Sequence, residues 1–238
     1  SRAITDGTYK LVWNFNSAYP NGARQSYQWQ MPSYQAWDSE NKKEGLNSIQ
    51  KKFWKPMPAL EFYETSNDAY EINNLINKPE HQERISKMKL QLLSKMKVNQ
   101  DLGLYPWSMR RKEDTIPFYN YVKNTNQPIN KLIDVAATCS TASKDDIELI
   151  KTYLNDLKPE IRYWGSIAVL QLLERKNINS IPNEIMFNFL NKNENTEVRL
   201  MSAEILVKLN ENKEARRLKI ICNLDLRNIF HVIRMYES

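Results

Sequence analysis

Glu61-Phe62-Tyr63-Glu64-Thr65-Ser66-Asn67-Asp68-Ala69-Tyr70-Glu71-Ile72-Asn73-Asn74-Leu75 is the stretch on which the reading of this chain turns. Ala59 to Tyr63 alternates and is rich in aromatics, which predicts a strand. Thr65, Ser66 and Asn67 are turn formers whose side chains can bond their own backbone. Asp68 then stands three residues before Glu71, the spacing of a capping box. The expectation is a strand, a turn and a short helix running through Ile72 and Leu75. A corner of that kind needs no chemistry of its own.

Working outward, Arg2 to Thr5 and Thr8 to Phe15 read as two strands around Asp6-Gly7, a hairpin signal. Tyr9, Leu11 and Trp13 alternate with Lys10, Val12 and Asn14, so one face is aromatic and apolar. A two-stranded hairpin is marginal alone. The strand at 59–63 is expected to join it in a small antiparallel sheet. Pro79 to Val98 carries Ile85, Met88, Leu92 and Met96 at helical spacing, with Pro79 in the favoured opening position. Its other face holds Arg84, Lys87, Lys89, Lys95 and Lys97, which reads as a solvated face of a helix lying over the sheet. Tyr34 to Leu46 and Ile49 to Phe53 read as shorter helices. Residues 105 to 127 look irregular, and the domain boundary is expected there.

From Pro128 onward the pattern is helical throughout, with an internal repeat. Leu149 to Asn155 matches Ile185 to Asn191 at an offset of 36, and Glu160 to Ser166 matches Glu197 to Ala203 at an offset of 37. A period near 36 built of paired amphipathic helices suggests HEAT-type repeats, whose units bury their apolar faces on neighbours. Residues 214–223 and 226–236 would supply a third pair. Glu160 and Glu197 suit helix N-termini, and Arg162 and Arg199 are expected to bond a neighbouring turn. The fold class expected is therefore α+β: residues 1–125 a small antiparallel sheet with flanking helices, residues 126–238 an α-α superhelix of HEAT-like repeats, the whole mostly helical.

Composition bounds the function. Five glycines in 238 residues argue against a Gly-rich phosphate loop or a doubly wound nucleotide fold. The formal charge of +6 is concentrated in residues 1–125, with 18 basic and 13 acidic groups. That balance suits an anionic partner or simply a basic, solvated surface. Cys139 and Cys222 have no metal-ligand spacing and form no disulfide framework. His81 and His231 have no evident zinc or triad partner. Asp145-Asp146 reads as a helix N-terminal pair. No run approaches the ~18 apolar residues of a membrane span, so no membrane partner is expected.

Three segments carry a resemblance to a known family. Glu61 to Leu75, Arg2 to Val12 and Asp101-Leu102-Gly103-Leu104 resemble, in order, the signature near the C-terminus of formylglycine-dependent (type I) sulfatases, the hairpin before it and the end of the helix after it. Ala69 departs from the pattern, which usually has Pro there. The resemblance covers roughly residues 1 to 120. It implies the C-terminal portion of a bacterial sulfatase, with short HEAT-like tails familiar in bacterial members.

On this reading the chain alone is non-catalytic and holds no cofactor. The parent would hydrolyse sulfate esters on glycans, using formylglycine and calcium, in the periplasm or outside the cell. The partners implied are a missing N-terminal catalytic domain and a sulfated glycan. Cys139-Ser140-Thr141-Ala142-Ser143 is the one cysteine-led approach to the C/S-x-P-x-R modification motif, and it lacks both Pro and Arg. The family's substrate cleft makes Arg24, Tyr27 and Trp29, in the polar, aromatic loop from Asn16 to Ser33, the candidate substrate contacts. Arg24 could pair with a sulfate in a fork geometry and the aromatics could stack on sugar rings; alternatively, the aromatics pack the loop onto the sheet. The alternative from a different class is a free-standing helical-repeat scaffold that binds protein, with nucleic acid less favoured.

Overall fold

The structure, a computed structural model, describes residues 1–21, 26–111, 117–124, 129–178, 180–192 and 194–209. Strands β1 (Arg2–Thr5), β2 (Tyr9–Trp13) and β3 (Leu60–Glu64) form one antiparallel sheet in the order β1-β2-β3. Asp6 closes the first hairpin by accepting from the N–H groups of Thr8 and Tyr9 at 3.0 and 2.8 Å, with Gly7 at a φ of +96°. The register sets Ile4 against Leu11 and Leu11 against Phe62. Leu11 and Phe62 are wholly buried, and Tyr9 stacks on Phe62 with ring centres 5.3 Å apart. Hairpin and third strand thus follow the alternation in the sequence. Between β2 and β3 the chain makes an excursion that holds α1 (Ser26–Trp29), α2 (Pro32–Lys42) and a 3₁₀ turn over Gln50–Trp54.

The corner after β3 is not the capped helix expected. Asp68 accepts from the N–H groups of Ile72 and Asn73 at 3.0 and 2.7 Å, but the chain takes a left-handed step at Glu71, φ +53°. Glu71 reaches Lys10 Nζ at 2.6 Å instead of returning to the cap. The reason lies in the sheet. Asn74 Oδ1 accepts from the Phe62 N–H at 3.0 Å, and the Leu75 N–H donates to the Phe62 carbonyl at 2.7 Å. The segment lies back along β3 and satisfies polar groups that an edge strand would leave bare. A helix there would leave them unpaired.

Helix α3 (Gln82–Val98) follows a 3₁₀ turn at Pro79–His81 and buries Ile85, Met88, Leu92 and Met96, as the spacing predicts. Ile85 and Met88 cover Leu11 and Phe62, while Leu92 and Met96 join the main core with Trp13 and Phe15. Part of its basic face is used inside the molecule. Arg84 pairs with Asp6 at 2.7 Å and lies over the Tyr9 ring, Lys97 pairs with Asp134 at 2.5 Å, and Lys89 sits over the Trp13 ring. A 3₁₀ turn over Leu102–Leu104 follows, and the stretch expected to be irregular, residues 105 to 127, holds a further 3₁₀ turn over Trp107–Arg111 and a short helix, α4 (Phe118–Asn124).

The helices that follow are α5 (Ile129–Ser140), α6 (Ile147–Leu154), α7 (Pro159–Glu174), α8 (Asn183–Leu190) and α9 (Thr196–Lys208). The offset of 36 carries α6 onto α8, and the offset of 37 carries the start of α7 onto that of α9. Helix α6 pairs with α7 and α8 with α9; α7 packs on α9, α6 on α8 and α5 on α7. Ser143 and Asp146 form a capping box ahead of α6, and Asn195 caps α9 by accepting from the Glu197 N–H at 2.9 Å. Arg162 donates to the Asp156 carbonyl at 2.5 Å and Arg199 to the Phe189 carbonyl at 3.3 Å, so each ties its helix to the turn or helix end before it. The third pair lies outside the described residues.

Trp13 and Phe15 share the main buried core with the helices, while Leu11 and Phe62 form a smaller cluster with α3. Phe15 packs edge-on against Trp164, with ring centres 6.2 Å apart. The Trp164 indole N–H donates to the Leu104 carbonyl at 2.9 Å. Ser17 bonds the buried amide of Gln171 at 2.5 Å, and Arg175 reaches Ser17 Oγ and the Ser140 carbonyl at 2.9 and 3.0 Å. These side-chain contacts run across the boundary expected near residue 125. Among the described residues no helix is long and apolar enough to cross a membrane.

Candidate functional site

The excursion between β2 and β3 carries the sequence-predicted contacts. Its neck is tied by the Asn14 N–H to the Ala59 carbonyl at 2.9 Å, by the Asn14 side chain to the Pro58 carbonyl at 2.8 Å, and by an antiparallel bridge between Pro20 and Pro56. Beyond the neck, residues 21–57 hold six basic and three acidic groups. Few large aliphatic side chains are present, so this segment coheres through aromatic rings. Trp37 and Phe53 stack with centres 4.4 Å apart, Tyr34 meets Phe53 edge-on at 5.7 Å, and Trp54 meets Trp37 and Phe53 edge-on at 5.7 and 5.2 Å. Such contacts stabilise by about 0.5–1.5 kcal/mol per pair beyond area burial.

Tyr27 and Trp29 lie together on α1. The Tyr27 ring is 74% exposed and free to stack on a planar or sugar surface. Trp29 is half-buried, and its carbonyl accepts from Gln35 Nε2 at 2.8 Å, which joins α1 to α2. Arg24 lies outside the described residues. Lys52 donates to the Ile72 carbonyl at 2.7 Å and ties the 3₁₀ turn to the corner after β3. Gln28 Oε1 and Trp54 Nε1 in this lobe, and Asn16 Oδ1 at its neck, are enclosed with no hydrogen-bond partner among the described residues. Enclosed orphan atoms of this kind call for a water, an ion or a partner.

The aromatic quartet Tyr34, Trp37, Phe53 and Trp54 was not singled out in the sequence. The Tyr34–Trp37 spacing of one helical turn was a visible sign; the approach of Phe53 was not.

Cys139 is wholly buried in the main core, and burial pushes its thiol well above the usual range. No group of three or more His, Cys, Asp and Glu among the described residues is arranged to hold a metal ion. His81 packs against the Tyr9 and Phe62 rings at 5.4 and 5.6 Å. Cys222 and His231 lie outside the described residues. Comparisons with family models, with curated proteins and with solved structures give no match.

Proposed function

We propose that this chain is the C-terminal portion of a bacterial formylglycine-dependent sulfatase, non-catalytic by itself. One observation carries the reading. The three segments of resemblance, spread over a hundred residues, meet in one place. Residues 2–12 form the hairpin, 61–64 lie in the strand beside it, and Asp101 holds Arg2 in a two-bond fork at 2.5 and 2.8 Å. This proximity supports the reading. Among the described residues no strand pairs with the outer edge of β1, which leaves an edge against which a catalytic domain could dock. The aromatic excursion would then form one wall of the cleft for a sulfated glycan, with Arg24, Tyr27 and Trp29 as contacts. Formylglycine and calcium would belong to the parent's other domain, in the periplasm or outside the cell. The α6–α9 pairs would begin a HEAT-like superhelix that mediates domain or subunit contacts.

The test is the mass of the native gene product, caught from its own cells with an antibody to this chain. A species far above 28.1 kDa whose upstream sequence contains C/S-x-P-x-R is the expected result. A species of 28.1 kDa would overturn the parent-enzyme reading. In that case the rival reading, a helical scaffold that binds protein, would lead. Its support is that α6 and α8 present Leu149, Phe187 and Leu190 to solvent at 42, 65 and 45% exposure.

A further inference from the structure

A second concavity lies away from the excursion, between α4, the turn before it and the start of α7. It is a cleft of about 230 Å³ whose walls include the rings of Tyr105, Phe118 and Tyr121, with Leu157, Lys158 and Glu160. Two of its polar groups have no hydrogen-bond partner among the described residues. Tyr105 is 6% exposed, and its hydroxyl is enclosed without such a partner. Glu160 is 8% exposed and takes part in no side-chain hydrogen bond or ion pair among the described residues. Lys158 also borders the cleft but is exposed and makes no ion pair with Glu160.

The Glu160 carboxylate borders the cleft in the first turn of α7, with no counter-charge paired to it among the described residues. The Glu160 charge also acts on Tyr105, whose hydroxyl burial and this neighbour push up to about 12. Tyr105 and Phe118 meet edge to face, 83°, with centres 5.2 Å apart, and Phe118 stacks on Tyr121 with centres 6.2 Å apart. Aromatic faces attract cations, and quaternary ammonium ions are held in cages of this composition.

From the Glu160 carboxylate and the enclosed Tyr105 hydroxyl, neither paired among the described residues and both beside aromatic rings, we propose that the cleft binds a small alkylammonium ion. The cationic head lies against the rings and Glu160, and Tyr105 bonds a polar group on the ligand. The volume is below the ~300–1,000 Å³ of sites for drug-sized molecules, so the ligand is about the size of choline. This site is independent of the sulfatase reading and stands or falls without it.

The test uses the full chain and ligand-observed saturation-transfer NMR. The probes are choline and its neutral carbon isostere, 3,3-dimethylbutan-1-ol. Choline is expected to bind about tenfold or more tightly than the isostere, the scale of a desolvated cation–π contact. Glu160→Gln is expected to remove that preference while the far-UV spectrum stays unchanged. If Glu160→Gln does not fold, Tyr105→Phe keeps the ring and loses only the hydroxyl, and choline should weaken several-fold. Equal binding of the two probes by the unaltered chain would overturn the proposal, since the cleft would then be merely apolar. So would the absence of choline binding at millimolar concentration.

Discussion

The Trp13 indole N–H donates to the Ser140 hydroxyl at 2.7 Å, joining the central strand to the end of α5 across 127 residues. Ser140 is wholly buried and donates in turn to the Ala137 carbonyl at 2.7 Å. Ser140→Ala leaves the buried indole N–H unpaired and should destabilise the fold by about 1–3 kcal/mol. Urea unfolding should show this as one transition, with tryptophan fluorescence and far-UV dichroism coincident. Two separate transitions would contradict a core shared by sheet and helices.

Arg2 and Asp101 form a second long-range tie, and Gly103 is built around it. A Cβ at Gly103 would lie 2.0 Å from Arg2 Nη2. Gly103→Ala should therefore displace the guanidinium and destabilise by about 1–3 kcal/mol, the worth of charge-assisted bonds. Arg2 holds the Asp101 carboxyl below its ordinary value of 3.8. A depressed carboxylate contributes stability that is fully present above 3.8 and lost as pH falls through the lower folded-state value. Asp101→Asn should remove that acid-side loss. A variant whose stability falls with acid as steeply as the parent chain's would show that the fork does not matter.

Arg162 grips Glu194 with two bonds, 2.7 and 2.6 Å, and binds the α6–α7 pair to the turn before α9. The Glu194 side chain is 3% exposed. Glu194→Ala strands a buried guanidinium and should destabilise by about 3–5 kcal/mol. A thermal melt within a degree of the parent chain's would refute this.

Tyr27 projects into solvent, so Tyr27→Ala should change stability by no more than about 0.5 kcal/mol. In the intact parent enzyme the same change, and Arg24→Ala, should lower turnover of a sulfated sugar. Unchanged kinetics would remove that residue from the cleft.

Local signals in the sequence were legible where local physics decided the outcome. Asp6-Gly7 specified the hairpin, four apolar residues at helical spacing specified α3, and the 36- and 37-residue offsets marked α8 and α9. The corner at 61–75 misled because Asp68 and Glu71 do satisfy a capping pattern. The bare edge of β3, invisible in one dimension, claims the segment that would have been the helix. The pairing of Trp13 with Ser140 and of Ser17 with Gln171 also escaped the reading, since nothing in either neighbourhood marks the other. Tyr105 and Glu160 looked ordinary for the same reason. A tyrosine near Pro106 and a glutamate opening a helix become notable only once both are seen to line one cleft, unpaired among the described residues.

The tie between Pro20 and Pro56 has a consequence for descent as well as for structure. Trp13 pairs with Leu60, Asn14 with Ala59, and the two prolines close the neck beyond them. The frame is thus complete behind residues 21–55. Lengthening a loop of this kind is cheap, with each doubling costing only about 0.6 kcal/mol in closure entropy. Other sequences, grafted between the same two prolines in place of residues 21–55, would inherit the sheet and forgo only such ties as that of Lys52 to the Ile72 carbonyl.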